Sequence, residues 1–185
     1  MMTWTVTWSM SNEAGAVCDS SPLIWLAKVN RISLLKHLFS TITIPEKVRL
    51  EVSSGGFADS LLILEALEEG WIKASGEVYD EADALVKVSG LHPGEADAIF
   101  LARKLGAMFI VDEREASATA RVFGVRSMGT VGVLLSGLAE RYLCLDEFVE
   151  CLDLLIACGF WLHVDVYKKA LSEARLIAGE RAMDG

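Results

Sequence analysis

The stretch AVCDSSPLIWLAKV, residues 16–29, places a carboxylate between two apolar segments. Its first three residues predict the end of a short buried strand, and Pro22 suits the first turn of a helix because it lacks an amide hydrogen. Ser21 is the residue that we expect to cap this helix through its hydroxyl. Asp19 therefore falls where the strand stops. An unpaired carboxylate is costly to bury, so this position requires a compensating partner.

Short apolar runs alternate with amphipathic stretches along the chain. Strands are predicted at 15–18, 41–44, 71–74, 108–111 and 125–128. Helices are predicted at 22–29, 32–39, 45–52, 58–69, 80–89, 94–105, 114–123, 130–140, 145–158 and 165–178. This alternation indicates an α/β fold with a parallel sheet covered by helices on both faces. Ligands of such sheets gather beyond the carboxyl ends of the strands, which is where Asp19 falls.

The length of 185 residues predicts one domain with an appendage. We expect a core at 15–140, followed by a C-terminal helical extension at 141–185 that packs on the core. The segment at 1–14 lacks the basic start and apolar centre of a signal peptide and is expected to be a flexible leader. Met10 is an alternative start within it.

The composition is apolar and acidic at the same time. Hydrophobic residues make up 52% of the chain, yet no apolar run approaches the roughly 20 residues that cross a bilayer. The apolar surplus therefore favours a subunit or partner interface. The four cysteines show no metal-binding spacing, and this suits a reducing cytoplasm. The net charge of −9 argues against a general basic nucleic-acid surface, but carboxylates around a cation would contribute to it.

Four acidic residues are expected at one edge of the sheet. Asp112 follows the strand at 108–111 directly, as Asp19 follows the first strand, and parallel strands end at the same edge. Glu51 shares an apolar helix face with its neighbours. Glu95 lies in the first turn of its helix, and apolar residues follow three and four positions further on. Its side chain is therefore expected to point toward the sheet. Asp97, by contrast, aligns with Lys104 and is expected to face solvent.

Clustered carboxylates repel one another and require a counter-charge. Mg²⁺ or Mn²⁺, which prefer oxygen ligands, would supply it. Such a site would suit the hydrolysis of a phosphodiester bond. Taken singly, each acid is equally consistent with a charge that favours a helix terminus.

Five segments of the chain, in order, resemble the PIN-domain family and its prokaryotic VapC-like branch: CDSSPLIWLAK, PEKVRLEV, HPGEADAIFLA, FIVDEREA and GTVGVLL. The resemblance implies a three-layer α/β/α sandwich around a central parallel sheet of about five strands. It further implies a Mg²⁺- or Mn²⁺-dependent single-strand endoribonuclease that acts on RNA. Many relatives are homodimeric toxins restrained by a small antitoxin protein. The family's acidic residues match Asp19, Glu51, Glu95 and Asp112, as both catalytic residues and metal ligands.

One departure leaves the fourth acid open. VapC-like toxins commonly carry Thr-x-Asp near the fourth strand, whereas this chain has Val111-Asp112-Glu113. Asp112, Glu113 and Glu115 are therefore all candidates for the last ligand.

Two other functions compete with the nuclease. A receiver-like signalling domain would accept a phosphoryl group on an aspartate after its third strand, but the third strand here ends in Lys73-Ala74-Ser75. A catalytically inactive PIN fold would only bind a protein partner. The presence of all four acids argues against this second alternative.

Overall fold

The predicted strands and helices are all present, with small shifts at their ends. The computed structural model describes residues 15–54 and 58–183, so the leader predicted at 1–14 lies outside the described residues. The strands are β1 Ala16–Cys18, β2 Ile42–Pro45, β3 Ile72–Ser75, β4 Met108–Ile110 and β5 Ser127–Met128. The helices are α1 Ser20–Lys28, α2 Ser33–Leu38, α3 Glu46–Ser54, α4 Ala58–Glu68, α5 Asp80–Ser89, α6 Pro93–Leu105, α7 Arg114–Val122, α8 Thr130–Ala139, α9 Leu145–Ala157 and α10 Val164–Met183.

The five strands form one parallel sheet in the order β3-β2-β1-β4-β5. Strand β1 lies at the centre, and Cys18 pairs with Ile110 of β4. Strands β1 and β4 are therefore direct neighbours, which brings Asp19 and Asp112 to adjacent strand ends. Since the strands are parallel, the loops that follow β1, β2, β4 and β5 all leave from one edge of the sheet.

Helices cover both faces of this sheet, which confirms the three-layer α/β/α architecture. Alternate residues of β1 point to opposite faces, as the two-residue period of a strand requires. Ala16 and Cys18 join the larger core with α1, α2, α4, α8, α9 and α10, whereas Val17 joins the smaller core with α6 and α7. Phe109 of β4 lies in the smaller core, and its neighbours Met108 and Ile110 lie in the larger one.

Helix α1 begins earlier than predicted, and Ser21 does not cap it. The backbone N–H of Asp19 donates a hydrogen bond to the Ile110 carbonyl, 2.9 Å away, so Asp19 still belongs to the end of the sheet. Helix α1 starts at the next residue, which leaves Asp19 itself at the N-cap position and Ser21 within the first turn. The single extended residue between strand and helix leaves no room for a separate cap.

Helices α9 and α10 pack against α8 and contribute to the larger core. Phe148, Leu152 and Leu155 of α9 are fully buried there, as is Ala174 of α10. The division of the chain at residue 140 stays a prediction. Within the described ranges, no helix is long and apolar enough to span a membrane.

None of the four cysteines forms a disulfide. Cysteines without metal-binding spacing are expected to be small buried residues. This is correct for Cys18 and Cys151 and wrong for Cys144 and Cys158, which are exposed at the two ends of α9.

Candidate functional site

An open cleft of about 490 Å³ lies at the carboxyl edge of the sheet, between the start of α1, helix α3 and the start of α6. Five acidic residues contribute to its wall, namely Asp19 and four glutamates. The residues that line it are Asp19, Ser20, Ser21, Glu51, Ser89, Gly90, Leu91, His92, Glu95, Glu113 and Glu115. Three of the four predicted acids thus share this cleft, and the fourth, Asp112, is not part of its lining.

Asp19 is only 5% exposed and lies at the base of the cleft. Burial, together with the charges of Glu95 and Glu51, raises its pKa from 3.8 to about 7. The backbone N–H groups of Ser20 and Ser21, at the start of α1, offset part of this effect. The Asp19 side chain is therefore in a position where ionisation is unfavourable without added positive charge.

Helices α3 and α6 bring Glu51 and Glu95 to the cleft. Glu95 is 6% exposed, and its Oε2 accepts a 2.8 Å hydrogen bond from the His92 N–H just before α6. Burial raises the pKa of Glu95, and nearby Glu113 and Glu51 raise it further. Glu51 is more open, with a side chain that is 34% exposed. Gly94 lets the two helices approach closely, because a Cβ there would lie 3.2 Å from Glu51 Oε1, which is tighter than an ordinary van der Waals contact.

Asp112 points away from the cleft toward the start of α8. Its Oδ1 accepts a hydrogen bond from the Thr130 N–H, and its Oδ2 accepts one from the Thr130 hydroxyl, both at 2.7 Å. Burial raises the pKa of Asp112, whereas these two bonds lower it. Gly129 allows this approach, because a Cβ there would lie 2.8 Å from Asp112 Oδ1. Asp112 thus caps α8 by accepting both hydrogen bonds from Thr130, which is fully buried.

Glu113 occupies the cleft wall next to Asp112. It is exposed, and its charge raises the pKa of both Glu95 and Asp112. Glu115 also lines the cleft but shifts neither of these groups. The choice among the three acids after β4 depends on the direction of each side chain, and sequence spacing does not fix that direction.

His92 is exposed and faces the acidic cleft. Its side chain is 74% exposed, and Nδ1 lies 3.4 Å from Glu51 Oε1. Spacing along the chain does not indicate this contact, because it joins two distant segments.

The prediction that Asp97 faces solvent is wrong. Asp97 is 4% exposed and pairs with Lys47 of α3, with Nζ 3.0 Å from Oδ2. Lys104, its predicted neighbour on the same helix face, instead pairs with Glu77 at 2.8 Å. The helix period identified a polar face of α6, but α3 packs over part of that face.

The chemistry of the cleft suits a divalent cation. Asp19, Glu51, Glu95 and Glu113 offer only carboxylate oxygens, the ligands that Mg²⁺ and Mn²⁺ prefer. Burial and neighbouring carboxylates raise the pKa values of Asp19 and Glu95, so a cation bound between them would stabilise their ionised forms. In the part of the chain that the structure describes, no three His, Cys, Asp or Glu side chains are already arranged to hold a metal ion. Binding would therefore require side-chain movement, for which exposed Glu113 and partly exposed Glu51 have room.

The chain has similarities to known proteins. Among solved structures, the chain is similar to a PilT N-terminus domain protein from the hyperthermophilic archaeon Sulfolobus solfataricus P2, with 23% identity and a TM-score of 0.48. That similarity covers 67% of this chain and 93% of the archaeal one. No curated protein was found to match the chain. A family model described as PIN domain matches residues 15–176, and the chain therefore belongs to the PIN-domain family.

Proposed function

We propose that this protein is a metal-dependent endoribonuclease that cleaves single-stranded RNA in the acidic cleft. The observation that carries this proposal is that three acids from distant segments line one cleft. Asp19 precedes α1, Glu51 lies on α3, and Glu95 lies in the first turn of α6. Repulsion among buried carboxylates is costly, and a fold gains nothing from it unless the charges serve a ligand. PIN-domain proteins are generally nucleases, and this supports the assignment.

The proposed ligands of Mg²⁺ or Mn²⁺ are Asp19, Glu51, Glu95 and Glu113. We assign the fourth position to Glu113 because the two oxygens of Asp112 are already held by Thr130. The role of Asp112 is then to fix the start of α8 and the segment that carries Glu113. A cation bound in the cleft would supply the Lewis acidity for phosphodiester hydrolysis.

The protein's own residues have distinct tasks in this scheme. Asp19 is the N-cap residue of α1, and its buried position places its carboxylate at the base of the cleft. Glu95 is oriented by the His92 N–H. Glu51 is the more exposed carboxylate and has room to take a proton from an attacking water.

RNA cleavage with Mn²⁺ tests the proposal. Wild type is compared with Asp19→Asn and Glu113→Gln, and Glu81→Gln, an exposed acid on α5 outside the cleft, is the matched control. We expect cleavage by wild type and the control, its loss in EDTA, and a decrease of at least about 100-fold in the two cleft variants. Equal cleavage by wild type and Asp19→Asn would exclude the catalytic assignment and favour an inactive protein-binding module.

The receiver-like alternative receives no support from the sheet. Strand β3 is at the edge and ends at Ser75, two strands away from Asp19. An acid after β3 would therefore be far from the acidic cleft. The absence of labelling by a small phosphodonor is the corresponding expectation.

The biological setting belongs to the same proposal. We propose a cytoplasmic homodimer that acts as the toxin of a toxin–antitoxin pair, restrained by a small antitoxin protein. Exposed apolar residues near the C-terminal helices, such as Trp161 at 84% and Val164 at 56%, support a covered interface. A neighbouring short reading frame for a DNA-binding protein, and a dimer mass by light scattering, are the expected observations.

A further inference from the structure

The ion pair between Lys47 and Asp97 joins the two helices that carry Glu51 and Glu95. Lys47 lies on α3, four residues before Glu51, so the two side chains share one face of that helix. Asp97 lies on α6, three residues after Gly94, and these two residues share one face of α6. Each helix therefore contributes two neighbouring positions to the interface between α3 and α6.

Two contacts along this seam lie one helical turn apart. At the first, the open space at Gly94 receives Glu51 and Val48, and a Cβ would lie 3.2 Å from an atom of each. At the second, Lys47 Nζ lies 3.0 Å from Asp97 Oδ2. A single contact would let α3 pivot on α6, whereas two contacts fix both their distance and their relative rotation.

Asp97 is an unusual residue for a purely structural seam. It is 4% exposed, and its second oxygen, Oδ1, is buried without a hydrogen-bond partner in the described residues. The Lys47 side chain is 39% exposed, so the pair is only partly buried, and ion pairs open to solvent contribute little to stability. Stability alone thus gives little reason for this pair, and a requirement for geometry gives a better one.

We propose that the Lys47–Asp97 ion pair is a positioning contact that fixes α3 against α6 and thereby sets the spacing between the Glu51 and Glu95 carboxylates. This inference rests on the proposed function, in which those two carboxylates share a cation. Neither Lys47 nor Asp97 lines the cleft. They act through the helices and not by contact with RNA or metal.

Electrostatics and positioning predict opposite results for removal of the lysine. Lys47 carries a positive charge one helical turn from Glu51, and this charge opposes the binding of a cation. If Lys47 acted only through its charge, Lys47→Met would tighten Mn²⁺ binding. If Lys47 positions α3, the same variant weakens binding because the Glu51 carboxylate is no longer held at the required distance from Glu95.

The first measurement is Mn²⁺ binding to the full chain by calorimetry, without RNA. We expect Lys47→Met to weaken binding by about 10-fold, as is typical when a group that orients metal ligands is lost. Lys47→Arg, which keeps the ion pair, is expected to restore it. The control is Glu77→Gln, which breaks an exposed ion pair between Glu77 and Lys104 of α6. We expect this variant to leave Mn²⁺ binding unchanged. Unchanged or tighter binding by Lys47→Met overturns the inference.

A second variant tests the same inference in case Lys47→Met does not fold. If Lys47→Met does not melt cooperatively, Lys47→Met is combined with Asp97→Asn, which removes the charges of both Lys47 and Asp97. Asp83 of α5, 3.8 Å from Lys47 Nζ in wild type, also loses this partner, but it is exposed to solvent. This double variant is expected to weaken Mn²⁺ binding in the same way. Binding equal to that of wild type in the double variant overturns the inference.

A distance measurement separates this inference from the proposed function. Spin labels at Leu50→Cys on α3 and Leu105→Cys on α6, both more than half exposed, report the spacing of the helices by pulsed electron resonance. Cys144 and Cys158 are replaced by serine, since both are exposed. A broadened or shifted distribution in Lys47→Met, restored in Lys47→Arg, supports the positioning contact even if wild type neither binds Mn²⁺ nor cleaves RNA. A distribution identical to that of wild type overturns it.

Discussion

Replacement of Asp19 by asparagine is expected to stabilise the metal-free protein at alkaline pH while it abolishes metal binding. Burial raises the pKa of Asp19 from 3.8 to about 7, so the folded state resists ionisation of this group. Asparagine has nearly the same shape and no charge to acquire. The variant therefore avoids a cost that wild type bears whenever its cleft contains no cation.

The magnitude follows from proton linkage. Each pKa unit corresponds to about 1.36 kcal/mol, so the change from 3.8 to about 7 amounts to about 4 kcal/mol. Because the folded pKa is raised, the stabilising contribution of protonated Asp19 is fully present below pH 3.8 and is lost as the pH rises through about 7. Between pH 5 and pH 8, wild type should lose about 3 kcal/mol relative to Asp19→Asn.

Urea denaturation in EDTA, repeated from pH 5 to pH 8, measures this difference. The free energy of unfolding of Asp19→Asn minus that of wild type should increase with pH and level off above about pH 7. Glu95 and Asp112 titrate in both proteins, so most of their contribution cancels in the difference. Added Mn²⁺ should stabilise wild type and not the variant. A difference in unfolding free energy that does not change with pH would refute the reasoning.

Three further substitutions test the contacts that surround the cleft. Gly94→Ala should weaken Mn²⁺ binding measured by calorimetry, with little change in stability, because the new methyl group displaces Glu51 while alanine favours the helix. Gly129→Ala should lower the free energy of unfolding by about 1–3 kcal/mol in urea, because its Cβ would lie 2.8 Å from Asp112 Oδ1. Thr130→Val should cost about 1–3 kcal/mol, since Asp112 Oδ2 loses its hydroxyl donor. The same change should raise the pKa of Asp112 further, so the loss in stability should grow as the pH rises.

Two control substitutions accompany these three. Gly179→Ala, on α10, introduces a methyl group into open space and should be neutral or slightly stabilising. Thr130→Ser keeps the hydroxyl and should retain most of the wild-type stability. Wild-type Mn²⁺ affinity in Gly94→Ala would contradict the tight packing of α6 against Glu51. A Thr130→Val protein as stable as wild type would contradict the capping role of Asp112.

The sequence was sufficient for the layered fold because hydrophobic patterning is a local property. Short apolar runs such as MFIV at 108–111 alternate with amphipathic segments, and each run became a strand of one parallel sheet, as predicted. The same logic placed Asp19 and Asp112 at one edge, since parallel strands end together. Glu51 and Glu95 reached the cleft because they lie on the buried sides of helices that begin at that edge.

The tertiary structure alone decided which acids face one another and which elements cover them. Asp112 turned to the start of α8 because Gly129 leaves room for its carboxylate against the Thr130 N–H and hydroxyl, and Glu113 took the position on the cleft wall. Asp97 became buried because α3 packs across α6 and supplies Lys47. The order of residues along a helix or strand determines the face on which a side chain lies, but the partner of that face comes from distant segments and depends on how the whole core packs.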